Sequence, residues 1–141
     1  MPSSKDPRAI LVALTPEAKA ALGGPEAAIT KLPFRVGRES RGALRAAGRT
    51  IAERRKPRSR PTNDLYLTEK AEPFSVSREH AQIQHNGTHF ILVDRQSSSG
   101  TIVEGAVVGG RHAVGAIRLN DGDVIIIGPS SSPFVFKFRI R

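Results

Sequence analysis

Three short stretches of the chain carry side chains that could do chemistry. Gly37-Arg38 sets a guanidinium beside a glycine, and Ser77-Arg78-Glu79-His80 packs a hydroxyl, a second guanidinium and an imidazole into four residues. A third stretch, DRQSSSGT from Asp94 to Thr101, joins a carboxylate to a run of serines. Arg38 and Arg78 offer planar, permanently charged forks that suit phosphate oxygens, and Ser77, Ser98 and Ser99 add neutral donors. Brought together, these groups would make a pocket for a phosphate. Taken singly, each also reads as an ordinary polar turn.

Ser77, His80 and Asp94 are also the side-chain types of a hydrolase. No GxSxG elbow is present, however, and a serine and a histidine three residues apart at a strand start are not placed for attack. His85 and His89 flank Asn86-Gly87, where a two-residue hairpin loop would set His89 opposite Gln84; two histidines without a third ligand make no metal site. Asp121-Gly122-Asp123 reads as a tight turn, with Gly122 allowing the bend. The chain is therefore expected to be no enzyme and to need neither metal nor cofactor.

The elements that must position these loops are mostly short strands. Ala9 to Leu14 is an apolar run, followed by a brief helix with Thr15 as N-cap, Pro16 at the first helical position, Glu17 complementing the dipole and Gly23 as the stop. Ala27 to Val36 forms an interrupted pair of strands with Pro33 at an edge or bend, delivering Gly37 and Arg38 to a loop. Asp64 to Leu67 resumes strand character. Ala81 to Gln84, Asn86-Gly87 and Phe90 to Val93 have the signature of a hairpin with a type I′ turn. Val124 to Ile127 is wholly apolar, and in FVFKFRI the residues Phe134, Phe136, Phe138 and Ile140 recur with the period of a half-buried strand. Short strands joined by Gly, Ser and Asp turns predict an all-β sandwich.

Composition narrows the classes further. The 141 residues suffice for one domain with its own core, and there is no cysteine for a disulfide, a thiolate metal site or a nucleophile. No run reaches the length of a membrane span, so a soluble, cytoplasmic protein is expected. The net charge of +9 is concentrated: Arg41 to Arg60 holds eight basic residues against Glu53, or +7. That segment reads as a solvated loop, a docking surface for acidic or multiply phosphorylated partners, or a nucleic-acid patch. It has no aromatic residue for base stacking, so nucleic acid is the least expected partner.

Taken in order, the motifs resemble those of the forkhead-associated (FHA) domain, whose pattern runs GR, SxxH, DxxSxNGT and then DGD before the last strands. Here these are Gly37-Arg38, Ser77 and His80 within VSREHA, the turn with Asp94, Ser97, Gly100 and Thr101, and Asp121-Gly122-Asp123 before VIIIG. The resemblance implies an FHA-type β-sandwich of about eleven strands, with a short N-terminal helical turn. The start, MPSSKDPR, reads as a flexible stretch over 1–8, and the resemblance covers an FHA domain over 9–141 that carries a basic insertion at 40–61.

The function implied is that of a phosphothreonine-dependent signalling or scaffold module that recruits a threonine-phosphorylated protein. By the resemblance Arg38 would bind the phosphate, Ser77 would hydrogen-bond a second oxygen, and Arg78, Ser98 and Ser99 would assist. His80 would tie the loops together, Gly37 and Gly100 would serve backbone geometry, and loops 68–76 and 95–99 would read flanking residues. Two departures stand out. Ser99 replaces the family's asparagine, and one hydroxyl cannot reproduce an amide's two-sided clamp on a peptide backbone. Arg38 and Ser77 stand thirty-nine positions apart, more than the family's usual spacing, and the excess coincides with the basic segment. The alternative is a phosphate-independent interaction or assembly module, with the insertion as a docking surface for an acidic partner or nucleic acid.

Overall fold

The computed structural model describes residues 8–39, 63–69, 74–111 and 115–141. The basic insertion 40–61 lies outside the described residues, as does nearly all of the stretch 1–8. Arg8 accepts a hydrogen bond from the backbone of Arg141 at 2.8 Å.

Among the described residues, eleven strands form two packed sheets and are joined by one helix. One sheet has six strands in the order β2 (Glu26–Ile29), β1 (Ala9–Ala13), β11 (Val135–Ile140), β10 (Val124–Ile127), β7 (Thr101–Val103) and β8 (Ala106–Val108). The other runs β4 (Leu65–Leu67), β3 (Phe34–Arg38), β5 (Ala81–His85), β6 (Phe90–Asp94) and β9 (Ala116–Leu119). Period-two alternation sends Leu11, Ile125, Ile127, Phe136 and Phe138 inward from the first sheet to meet Val36, Leu67, Ile83, Phe90 and Leu92 from the second. Truncating a core ring such as Phe138, which is fully buried, is expected to cost about 3 to 5 kcal/mol.

Helix α1 (Pro16–Leu22) forms as its caps dictate. The Thr15 hydroxyl accepts from the Ala18 N–H at 3.1 Å, and Gly23 ends the helix at φ 76°. Ala18 is buried and packs the helix toward β1 and β4. No helix among the described residues is long and apolar enough to cross a membrane.

Three sequence-based expectations need correction. Gly37 and Arg38 end strand β3 and do not lie in a loop, because they pair with Tyr66 and Leu67 of the parallel strand β4. A parallel pair needs a long crossover, and the insertion occupies that connection. The β5–β6 turn centres on Gly87-Thr88, one position later than expected, since the Asn86 side chain accepts the N–H groups of Thr88 and His89 at 2.9 and 2.8 Å. His85 therefore faces Phe90 and Gln84 faces Ile91, so Gln84 is not opposite His89. Ile140 is 38% exposed, the alternation of β11 having run past the edge of the core.

Candidate anion-binding site at the strand ends

Arg38 is anchored at three points. Its backbone N–H donates to the Ser77 carbonyl at 2.9 Å, its Nε donates to the Val76 carbonyl at 2.9 Å, and its guanidinium carbon stands 4.0 Å from the centre of the Phe74 ring. Its Nη1 and Nη2 groups have no hydrogen-bond partner among the described residues. The fork is held from behind and its two outer nitrogens remain available to an anion.

The loop before β5 is fixed by side chains that take up its backbone donors. The Glu69 carboxylate accepts the N–H groups of Ser75 and Val76 at 2.8 and 2.7 Å. His80, fully buried, accepts the Ser77 N–H at Nδ1 over 2.9 Å. Nε2 must then carry the proton, and it donates to the Gly100 carbonyl at 2.7 Å. Burial pushes the His80 pKa below its ordinary value, although the Gly100 bond and the charges of Asp94 and Glu69 oppose that shift. A neutral imidazole thus bridges the second and third motifs.

The third motif folds on itself. Ser97 donates from its hydroxyl to Asp94 and accepts the Gly100 N–H at 3.0 Å, while Gly100 adopts φ 81°, which favours glycine. The neighbouring Ser98 N–H donates to the Ser77 hydroxyl oxygen at 3.0 Å. That bond occupies a lone pair of Ser77 and leaves its hydroxyl proton for another acceptor.

Asn63 ties down the remaining wall. It is 3% exposed, its Nδ2 donates to the Arg78 carbonyl at 2.7 Å, and its Oδ1 accepts from Arg95 Nη1 at 2.6 Å. Gly37 sits beneath this contact, and a Cβ there would stand 2.0 Å from the Arg78 carbonyl oxygen. Gly37 is needed for space, not for a positive φ.

An open groove at this edge is lined by Arg38, Ser77, Arg78, Glu79, Arg95, Gln96 and Ser98. Of the residues singled out by sequence, Arg38, Ser77, Arg78 and Ser98 come together there, with Gly37, His80 and Gly100 as supports behind them. Ser99 is half-buried and is not part of the lining. Sequence reasoning singled out the loops 68–76 and 95–99 that hold Glu69, Phe74 and Arg95 but not these side chains themselves, whose roles depend on folded contacts. No Ser–His pair forms, because both ring nitrogens of His80 are engaged by backbone groups. Among the described residues no group of His, Asp and Glu stands together to hold a metal ion.

The family model of the FHA domain matches residues 34–128, which contain all of this geometry. The chain belongs to the FHA family. Solved structures agree in fold. Mycobacterium tuberculosis EmbR, in complex with a low-affinity phosphopeptide, is 25% identical with a TM-score of 0.59; the match covers 99% of this chain and 26% of EmbR. Full-length yeast Pml1p is 20% identical with a TM-score of 0.63, over 99% of this chain and 85% of that one. The kinase-interacting FHA domain of the Arabidopsis kinase associated protein phosphatase is 24% identical with a TM-score of 0.59, over 95% of this chain and 93% of its own. No curated protein sequence matches the chain. The FHA assignment accounts for β3 through β10; β1, α1, β2 and β11 extend the same sandwich on either side of the matched residues.

Proposed function

We propose that this FHA domain, spanning residues 9–141 with its basic insertion, binds a threonine-phosphorylated segment of a partner protein and performs no catalysis itself. The observation that carries this reading is the Arg38 fork, clamped through Nε and Phe74, with both outer nitrogens unpartnered among the described residues beside the free proton of Ser77. Arg38 takes two phosphate oxygens, Ser77 donates to a third, and the exposed Arg78 adds charge. Ser98 closes the pocket through its backbone contact to Ser77, and Ser99 supports the loop from beside it. Preference for phosphothreonine over phosphoserine comes from the family resemblance.

Fluorescence anisotropy tests the reading directly. A phosphothreonine peptide pool and its unphosphorylated twin are titrated against wild type and Arg38→Ala. Removing a charge-assisted bidentate contact costs about 1.5 to 3 kcal/mol, roughly ten- to a hundredfold in Kd. Micromolar binding that requires both the phosphate and Arg38 is the expected result. Equal binding of both pools with and without Arg38 would instead establish a phosphate-independent interaction surface.

A further inference from the structure

The β5–β6 turn holds a group of contacts that serves neither the core nor the groove. His85 ends β5, its ring edge-on to Phe90 with centroids 4.7 Å apart. The Gly87 N–H donates to His85 Nδ1 at 3.0 Å, so the proton of the neutral ring sits on Nε2. On the other side of the same dipeptide, Oδ1 of Asn86 accepts the N–H groups of Thr88 and His89 at 2.9 and 2.8 Å. Asn86, Gly87 and Thr88 are exposed, and nothing stands within 4 Å of where a Gly87 side chain would begin.

Capping the turn accounts for the two bonds to Oδ1. The His85 contact adds something a turn does not require. The Gly87 nitrogen is the backbone atom that closes a five-membered ring on the Asn86 side-chain carbonyl, and its N–H is aimed at a basic nitrogen. The carbonyl oxygen of that same amide faces two donors, where negative charge would develop. Glycine leaves the approach uncrowded. The other two asparagines lack this arrangement: both precede an aspartate, and Asn63 is buried with its amide nitrogen donating to the Arg78 carbonyl.

We propose that Asn86 is a self-modification site, where His85 draws the proton from the Gly87 nitrogen as it attacks and the N–H groups of Thr88 and His89 hold the oxyanion. The Gly87 nitrogen bonds to the side-chain carbonyl carbon, the bond from that carbon to Nδ2 breaks, and Nδ2 takes the proton from His85 and leaves as ammonia. Water then opens the cyclic imide at either carbonyl, leaving aspartate or isoaspartate at position 86. Either product adds a carboxylate, and isoaspartate adds a main-chain carbon between strands paired as His85 with Phe90. The turn lies at the end of β5 away from His80, so the change marks the domain without touching the phosphate groove. The proposal stands independently of the phosphothreonine reading.

In the test the full chain is incubated in neutral buffer, folded or unfolded in guanidinium, and Asn86 is followed by peptide mass mapping that separates aspartate from isoaspartate. Folded wild type is expected to lose the amide roughly ten- to a hundredfold faster than the unfolded chain, the lower range of what a positioned acid–base group supplies. Asn63 and Asn120 should persist in the folded protein. His85→Phe keeps a ring against Phe90 and removes the acceptor, whereas His85→Gln keeps a polar side chain without the base. Both should bring the folded rate down to that of the unfolded chain or below, with circular dichroism checking that the sheets remain. A folded wild type that loses Asn86 no faster than the unfolded chain overturns the proposal, because the turn then protects the amide. A fast rate that survives in either folded variant removes His85 from the chemistry and overturns it too.

Discussion

The guanidinium carbon of Arg38 lies 4.0 Å from the centre of the Phe74 ring, and Phe74 is itself 38% exposed. A large aromatic side chain kept at the surface gains little from burial; its face attracts the cation and limits the directions in which Arg38 can point. Replacing Phe74 with alanine is expected to weaken phosphopeptide binding about three- to tenfold while leaving the unfolding transition nearly unmoved. Phe74→Trp should preserve affinity and Phe74→Leu should not, as read by anisotropy. Wild-type affinity in the leucine variant would mean that apolar cover alone suffices.

His80 makes stability depend on pH. Its pKa is lowered on folding from the ordinary 6.5, mainly by burial, so the unfolded chain binds this proton more readily than the folded one. The contribution of neutral His80 is complete above pH 6.5 and is lost progressively as pH falls below that value. Protonation would also place an N–H at Nδ1 against the Ser77 N–H that it now accepts. Urea unfolding at pH 7.5 and at pH 5 should show a loss of stability in wild type that is much smaller in His80→Asn. The variant itself should be less stable at pH 7.5 by about 1 to 3 kcal/mol, because its partners in the second and third motifs lose a buried bond.

Much of this arrangement was legible beforehand, for identifiable physical reasons. The buried face of β11, the caps of α1 and the apolar run of β10 are local patterns, and local patterns survive folding. The GR, SxxH and GT motifs named Arg38, Ser77 and His80 because their residue types are specialised. Strands β7, β8 and β9 left weaker traces, being three or four residues long and joined by glycine-rich turns. The register of β5 and β6 depended on whether Asn86 entered the turn by its backbone or capped it by its side chain, which residue type alone leaves open. Glu69, Asn63 and Arg95 act on residues between six and thirty-two positions away, and no sequence period encodes such contacts.

Gly37→Ala is expected to damage the site from below. The added Cβ would stand 2.0 Å from the Arg78 carbonyl oxygen and 2.6 Å from Asn63 Nδ2, so one of these groups must move and the Asn63–Arg78 bond must lengthen or break. Overpacking of this kind costs about 1 to 3 kcal/mol. Chemical denaturation should register that loss, and phosphopeptide affinity should fall in the molecules that remain folded, since Arg78 and Arg95 both depend on Asn63. A variant with wild-type stability and affinity would show that the β3–β4 edge yields without cost.

Thr101, the first residue of β7, is fully buried between its neighbours on β8 and β10, yet its hydroxyl is the one buried side-chain polar atom without a hydrogen-bond partner among the described residues. A buried hydroxyl with no partner carries a desolvation penalty of about 1 to 3 kcal/mol. Thr101→Val keeps the β-branched shape that a strand favours and exchanges that hydroxyl for a methyl group. Stability is therefore expected to rise by about 1 kcal/mol, with Tm higher by a few degrees. Thr101→Ser makes the complementary variant: it keeps the hydroxyl, loses a buried methyl and should be less stable than wild type. Thr101 does not line the groove, so the two variants should separate in urea unfolding without separating in phosphopeptide affinity. If valine destabilises the domain as much as serine does, the hydroxyl has a partner in solution, most simply a buried water.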